Sequence, residues 1–277
     1  MSRTTGELLQ FANVRVENSN IGTAANIEGE FELQLDKGSY NVIASYIGYK
    51  SDTVQVDLKK NRQIIFLLSD EAVQLDEVTV TPEENPALAV IRRAIKAKNR
   101  RNELLNQFVY TAYTKGVIKT TRDISAKGID MTLDIALSDD ADLKITGILE
   151  NESRGYFRKP NDYKEEIIAR KQSANFPSTI NLLTGGRIIQ NFYTDDIQFF
   201  NRPLLSPIAQ DAPNYYYYYI EDVVAYENQR VYQIFFGVVN KSNPGFYGRI
   251  YIEDGTFDLV KVDIGLNEAA NPGGMFK

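Results

Sequence analysis

The chain has 277 residues and a formal net charge of −6, from 31 basic and 37 acidic side chains, and contains no His, Cys or Trp. Without imidazole or thiol there is no Ser-His or Cys-His nucleophile, and zinc and copper sites lose their usual nitrogen and sulfur ligands. Only carboxylate, lysine or tyrosine chemistry and oxygen-only cation sites stay open; no cofactor is expected, and the acidic balance argues against nucleic acid as a partner.

The first ten residues, MSRTTGELLQ, lack the apolar core of a signal peptide. No stretch approaches the ~18 uncharged apolar residues of a membrane span. The chain is therefore expected either to be cytosolic or to have lost its targeting segment. Residues 1 to about 70 read as strands. Phe31, Leu33 and Leu35 alternate with Glu30, Glu32 and Gln34, which puts the apolar set on one face. Asp36-Lys37-Gly38 reads as a tight reversal, with a positive φ at Gly38, into a second strand carrying Tyr40, Val42, Ala44 and Tyr46. Phe31, Leu33, Leu35, Val42 and Ala44 are the expected core. Gly48 ends this strand, Thr53–Leu58 alternates again, and Gln63–Leu68 (QIIFLL) reads as a strand covered on both sides. Such short strands with glycine-marked turns predict a small antiparallel sandwich.

Residues 71–85 form an acidic connector ending near Pro82, with a short strand expected at Glu77–Val80. A helix is predicted from Pro86 to about Asn102, with Asn85 as its cap and Pro86 at the favoured first position. Leu88, Ile91 and Ile95 make its apolar stripe. From Gln107 the chain turns strand-rich again, with a short helix expected at Thr179–Leu183. The clearest hairpin sets Ile250 and Ile252 before Asp254-Gly255, with Leu259 (or Val260) and Val262 after it.

The segment TGELLQFANVRVENSNIGTAANIEGEFELQLDKGSYNVIASYIGYKS resembles the carboxypeptidase-regulatory-like domain, a transthyretin-like β-sandwich. The matching features are Ala12–Val14, Gly22–Phe31, Gly38–Tyr40 and Ser45–Tyr49. This module accompanies catalytic domains and is not one, and a zinc carboxypeptidase would need the histidines this chain lacks. Leu75–Pro82 (LDEVTVTP) is similar to the segment that follows this module in Bacteroidota outer-membrane proteins, TonB-dependent receptors among them. Asn85–Gly116, together with FFNRPLLSPIAQDAPNYYYYYIED and GRIYIEDGTFDLVKVDI, resembles an uncharacterised Bacteroidota family. In that family such a module precedes a helix, a periplasmic β-rich region and a membrane β-barrel. The last hairpin is also similar to the half-barrel of lipoprotein-carrier proteins. Only Met1–Thr4 stand where the module normally has its first strand, and NPGGMFK follows the last strand with no barrel behind it. The chain is thus expected to be a piece of a longer envelope protein.

Several features carry a functional and a bland reading. Arg92, Arg93, Lys96, Lys98, Arg100 and Arg101 place six cations in ten residues. At about 100° per residue they flank the apolar stripe on both sides, so a solvated face is expected, with lipid or lipopolysaccharide phosphates as the alternative. Tyr215–Tyr219 alternates Tyr215, Tyr217 and Tyr219 against Tyr216 and Tyr218. One set is expected to be buried, and the other is a candidate platform for sugars or lipid headgroups. Asp139, Asp140 and Asp142 do not fit a calcium-loop spacing. Asp195-Asp196 and Glu221-Asp222 are candidate carboxylate pairs for glycoside hydrolysis. Leu182–Ile189 lacks the Lys-Ser/Thr of a phosphate loop and reads as a turn.

The expected architecture is mostly β: a transthyretin-like sandwich over 1–70, a connector and basic helix over 71–106, and a β-rich domain, of half-barrel type, over 107–277. The expected function is non-catalytic. It is that of a scaffold or recruitment module at the periplasmic face of the outer membrane, with envelope proteins or a C-terminal barrel of the same polypeptide as partners. A lipid- or glycan-binding β-domain is the first alternative, and a carboxylate-dependent hydrolase the second. Tyr215, Tyr217, Tyr219, Arg92, Arg93 and Lys96 are the candidate surface residues; no catalytic or metal-binding residue is assigned.

Overall fold

A computed structural model of the chain describes residues 1–19, 21–26, 28–71, 85–120, 144–159, 162–172, 191–199, 202–227 and 229–270. The expected strand at Glu77–Val80, the helix at Thr179–Leu183, the turn at Leu182–Ile189 and the Asp139–Asp142 cluster lie outside the described residues. The protein is mostly β, with several antiparallel sheets. It divides into two compact units. The first comprises Met1–Ala87, Tyr219–Ile234 and Ile250–Val262; the second comprises Leu88–Tyr218, Phe235–Arg249 and Asp263–Lys277.

In the first unit, β1 (Asn13–Val16), β2 (Gly22–Ala24), β3 (Gly38–Ser45) and β5 (Asp52–Leu58) form an antiparallel sheet in the order β2-β1-β3-β5. Two short strands, β4 (Tyr49–Lys50) and β6 (Ser69–Asp70), pair beside it. The register sets Val14 opposite Ala44 and Val42 opposite Val54, so the apolar parity of each strand meets that of its neighbour. Val14, Val42, Ala44, Val56, Phe66 and Leu68 form the buried centre.

Two expectations are corrected here. Residues 31–36 form no strand, and Gly38 opens β3 without the left-handed backbone; the positive φ values fall at Gly29 and Gly48 instead. The side-chain alternation still holds, with Glu30, Glu32 and Gln34 exposed. The segment cannot pair with β3, whose two edges are taken by β1 and β5, and Phe31, Leu33 and Leu35 are only half-buried. The reversal sits earlier, where the Asn26 side chain accepts the Glu28 and Glu30 amides at 3.0 and 2.8 Å. The second correction concerns residues 63–68, which are not covered on both sides. Phe66 and Leu68 are buried while Ile65 and Leu67 are 73% and 41% exposed. The N-terminus ties this run down: the Met1 amine donates to the Phe66 carbonyl at 3.1 Å, and Ser2 bridges Leu68 in parallel.

Segments remote in sequence complete the first unit. Asn13 donates to the Tyr226 hydroxyl at 3.0 Å, Ser45 to the Glu227 carboxylate at 3.3 Å, and the Gly48 amide to the Ala225 carbonyl at 2.6 Å. Lys261 lies 5.5 Å over the Tyr46 ring.

The helix α1 spans Pro86–Leu104, and the Asn85 side chain accepts the Ala87 amide at 3.0 Å, as expected of its cap. Ile91 and Ile95 are buried, Leu88 half-buried, and Val90 and Ala94 widen the stripe. In the second unit, the side chain of Lys159 donates to the carbonyls of Asn102 and Glu103, placing a cation on the negative end of α1. β7 (Gln107–Thr120), β8 (Lys144–Arg158) and β9 (Asp162–Gln172) form a three-stranded antiparallel sheet. β10 (Asp196–Phe199) and β11 (Arg202–Leu205) pair as a hairpin, followed by a single helical turn, α2 (Ala212–Tyr215). The last four strands are β12 (Tyr216–Tyr226), β13 (Gln229–Val238), β14 (Phe246–Glu253) and β15 (Leu259–Leu266), joined as a meander in chain order. The expected turn at Asp254-Gly255 is present, with Gly255 at φ +106°.

Candidate interaction surfaces

Along β12 the pleat sends Tyr216 and Tyr218 inward and leaves Tyr217 and Tyr219 48% and 46% exposed. The buried pair is anchored through its hydroxyls, Tyr216 donating to the Leu205 carbonyl at 2.7 Å and Tyr218 to the Pro207 carbonyl at 2.8 Å. Both rings pack on Phe236, at 5.3 and 6.2 Å between centroids. Burial pushes both phenols above their ordinary pKa. Tyr215 departs from the expected alternation. It closes α2 rather than joining the strand, is half-buried, and donates to the Pro244 carbonyl at 2.7 Å.

The exposed tyrosine of the second unit has company from neighbouring strands. The Tyr217 ring lies across Gly237, where a Cβ would come within 2.8 Å of its hydroxyl, and its centroid is 6.2 Å from that of Phe235. The Arg249 guanidinium sits 6.0 Å over the Phe235 ring, and the Tyr247 ring lies across Gly265. Glycines let these rings settle against the backbone. Periodicity within one strand singled out Tyr217. It was silent on Phe235, which reaches Tyr217 only through strand pairing, and on Tyr247 and Arg249 farther along the sheet.

On α1, Arg92, Arg93 and Lys96 are exposed, as expected of them individually. The expectation that all six cations form a solvated face is corrected for Lys98. Lys98 is buried, 1% exposed, with its ammonium on the Asp195 carboxylate, and Arg101 is half-buried. The fully exposed cations are thus Arg92, Arg93, Lys96 and Arg100, on the arc opposite the one buried by Val90, Ile91, Ala94, Ile95 and Lys98. Arg100 was readable from its four-residue spacing to Lys96; the burial of Lys98 was not, because its partner is 97 residues away.

Three of the four candidate catalytic carboxylates hold other partners. Asp195 holds Lys98, Glu221 accepts from the Gln233 amide at 2.9 Å, and Asp222 accepts the Val223 amide at 2.7 Å. Among the described residues, no three acidic side chains gather in a way that would hold a metal ion. An open groove of about 660 Å³ at the end of the β7–β9 sheet is lined by Phe108, Phe157, Tyr163, Arg158 and Lys164. Its cations are paired with Asp162 and Glu166. Among the described residues no helix is long and apolar enough to cross a membrane.

These features define a β-rich module that presents an aromatic sheet face and a cationic helix face. The chain belongs to a family of unknown function, DUF5686, whose model matches residues 90–272. Residues 1–80 match the CarboxypepD_reg-like domain. The chain is also similar to the TonB-dependent receptor SusC of Bacteroides thetaiotaomicron, 35% identical over 77 residues, which is 28% of this chain and 7% of the receptor. The chain therefore spans a small part of the length of that relative. No solved structure matches.

Proposed function

We propose that the chain is a non-catalytic module of the bacterial envelope, held at the periplasmic face of the outer membrane. There it serves as a scaffold or recruitment platform for envelope proteins or for a membrane barrel of the same polypeptide. The observation that carries this reading is the ordered pairing of a regulatory-like domain over residues 1–80 with the family region over 90–272. The similarity of a stretch of the chain to a TonB-dependent receptor supports the same setting. Fractionating cells that produce the tagged full-length protein tests it. The expected result is recovery with outer membranes, with the tag shielded from protease until that membrane is permeabilised. Recovery in the cytosolic fraction would overturn the reading.

A second reading, a lipid- or glycan-binding β-domain, is favoured by the rings of Tyr217 and Tyr247, which reach across Gly237 and Gly265, and by Phe235 and Arg249 near Tyr217 on the neighbouring strands. Faces presented this way suit the apolar side of a sugar ring. Calorimetric titration with soluble oligosaccharides is expected to give binding that Tyr217→Ala removes; heats no different from buffer would end this reading. The hydrolase alternative has no comparable support: Asp195 holds Lys98 and Glu221 accepts from Gln233.

A further inference from the structure

Arg92, Lys96 and Arg100 follow one another at four-residue steps on α1, and Arg93 lies beside them. At 3.6 residues per turn these four side chains fall within an arc of about 100°. All four are exposed, whereas Val90, Ile91, Ala94, Ile95 and Lys98 bury the opposite arc. One acid, Glu103, shares the exposed arc. Where the helix ends, Leu104, Leu105 and Val109 are 71%, 43% and 62% exposed. A chain of net charge −6 thus gathers positive charge on one helix face and sets exposed aliphatic side chains at the end of it.

We propose that this face of α1 is a docking surface for a bilayer containing anionic phospholipid. The guanidinium and ammonium groups meet lipid phosphates, while Leu104, Leu105 and Val109 enter the acyl boundary. The inference rests on the envelope reading and names the surface involved. Charge complementarity favours this occupant. Long basic side chains along a helix lay their stems on the interface and their heads at the phosphates, and neighbouring aliphatic groups add the apolar contact that an acidic protein face would not require. A basic residue close to an anionic membrane strengthens binding about fivefold, so four of them supply roughly a hundredfold or more.

The test is co-sedimentation of the purified 277-residue chain with phosphatidylcholine vesicles, with and without phosphatidylglycerol. Binding is expected only to the anionic vesicles and is expected to weaken as salt shortens the screening length. The triple variant Arg92→Glu, Lys96→Glu, Arg100→Glu is expected to lose about a hundredfold or more in binding. Leu104→Ala with Leu105→Ala is expected to lose about tenfold or more. A control with the same charge change, Lys37→Glu, Lys59→Glu, Lys60→Glu, carries its substitutions on exposed residues of the first unit and is expected to bind like the parent. If the reversal variant fails to fold, the corresponding glutamine variant and the salt titration of the parent decide the matter. Equal binding to neutral vesicles, or equal losses in helix and control variants, would overturn the proposal. So would absence of vesicle binding by the folded parent, which would leave an acidic protein as the occupant. Location is read from cell fractions and lipid contact from purified protein, so failure of either is distinguishable from failure of the other.

Discussion

Lys98 shows how a charge can be buried at a modest cost. Its side chain is 1% exposed, while that of its partner Asp195 is 53% exposed, so the ion pair sits at the boundary between core and solvent. An ammonium withdrawn from water without a counter-charge costs several kcal/mol, whereas an apolar side chain of similar length costs little. Asp195→Asn is accordingly expected to lower the unfolding free energy by about 1–3 kcal/mol, discounted for the exposed carboxylate. Lys98→Met is expected to stay within about 1 kcal/mol of the parent; urea midpoints at unchanged m-value check both. The buried tyrosines make a second prediction. Burial raises the phenols of Tyr216 and Tyr218, so the folded chain keeps two protons that the unfolded chain releases above about pH 10. Their stabilisation is complete below that pH and declines as pH rises further, by up to about 1.4 kcal/mol per pH unit for each group. Denaturation curves followed from neutral pH to above pH 10 are expected to show this slope, and Tyr218→Phe to remove its share. That substitution also loses the bond to the Pro207 carbonyl, at about 1 kcal/mol near neutral pH.

At the scale of elements, the legible parts were those in which local chemistry decides. Asn85-Pro86 announced the start of α1, and Asp254-Gly255 announced the β14–β15 turn. Residues 31–35 show the limit. Alternation told which side chains face inward, but it could not tell whether the backbone would find a neighbouring strand once β1 and β5 had taken both edges of β3. The core under this segment is better represented by Phe66, whose ring centroid is 6.0 Å from that of half-buried Phe31. Phe66→Ala is expected to cost about 3–4 kcal/mol and Phe31→Ala about 1–2 kcal/mol. A double-mutant cycle on the pair is expected to give a coupling of about 0.5–1.5 kcal/mol. If Phe31→Ala alone cost more than Phe66→Ala, the burial pattern described for this segment would be wrong.

At the scale of the whole molecule, much was hidden because it is made by distant segments. Asn13 and Tyr226 are 213 residues apart, and no window of local periodicity relates them. The same limit applied to the candidate surfaces: single cations and tyrosines were visible, but their grouping depended on Lys98 finding Asp195 and on strands bringing Phe235 to Tyr217. The first unit draws on Tyr219–Ile234 and Ile250–Val262, so a polypeptide ending at Ala87 lacks part of its own unit. Hydrogen exchange is expected to be faster in β1, in β3 and at Gly48 of such a fragment than in the full chain. Equal protection would mean that the later segments add nothing to it. The arrangement also has a consequence in time. Tyr219 is synthesised 132 residues after Ala87 (219 − 87), a delay on the order of ten seconds at ordinary translation rates. Through that interval Ser45 and Gly48 wait for Glu227 and Ala225. A nascent chain stalled before Tyr219 therefore shows chaperones and proteases an unfinished sandwich, which becomes complete only as the last strands emerge.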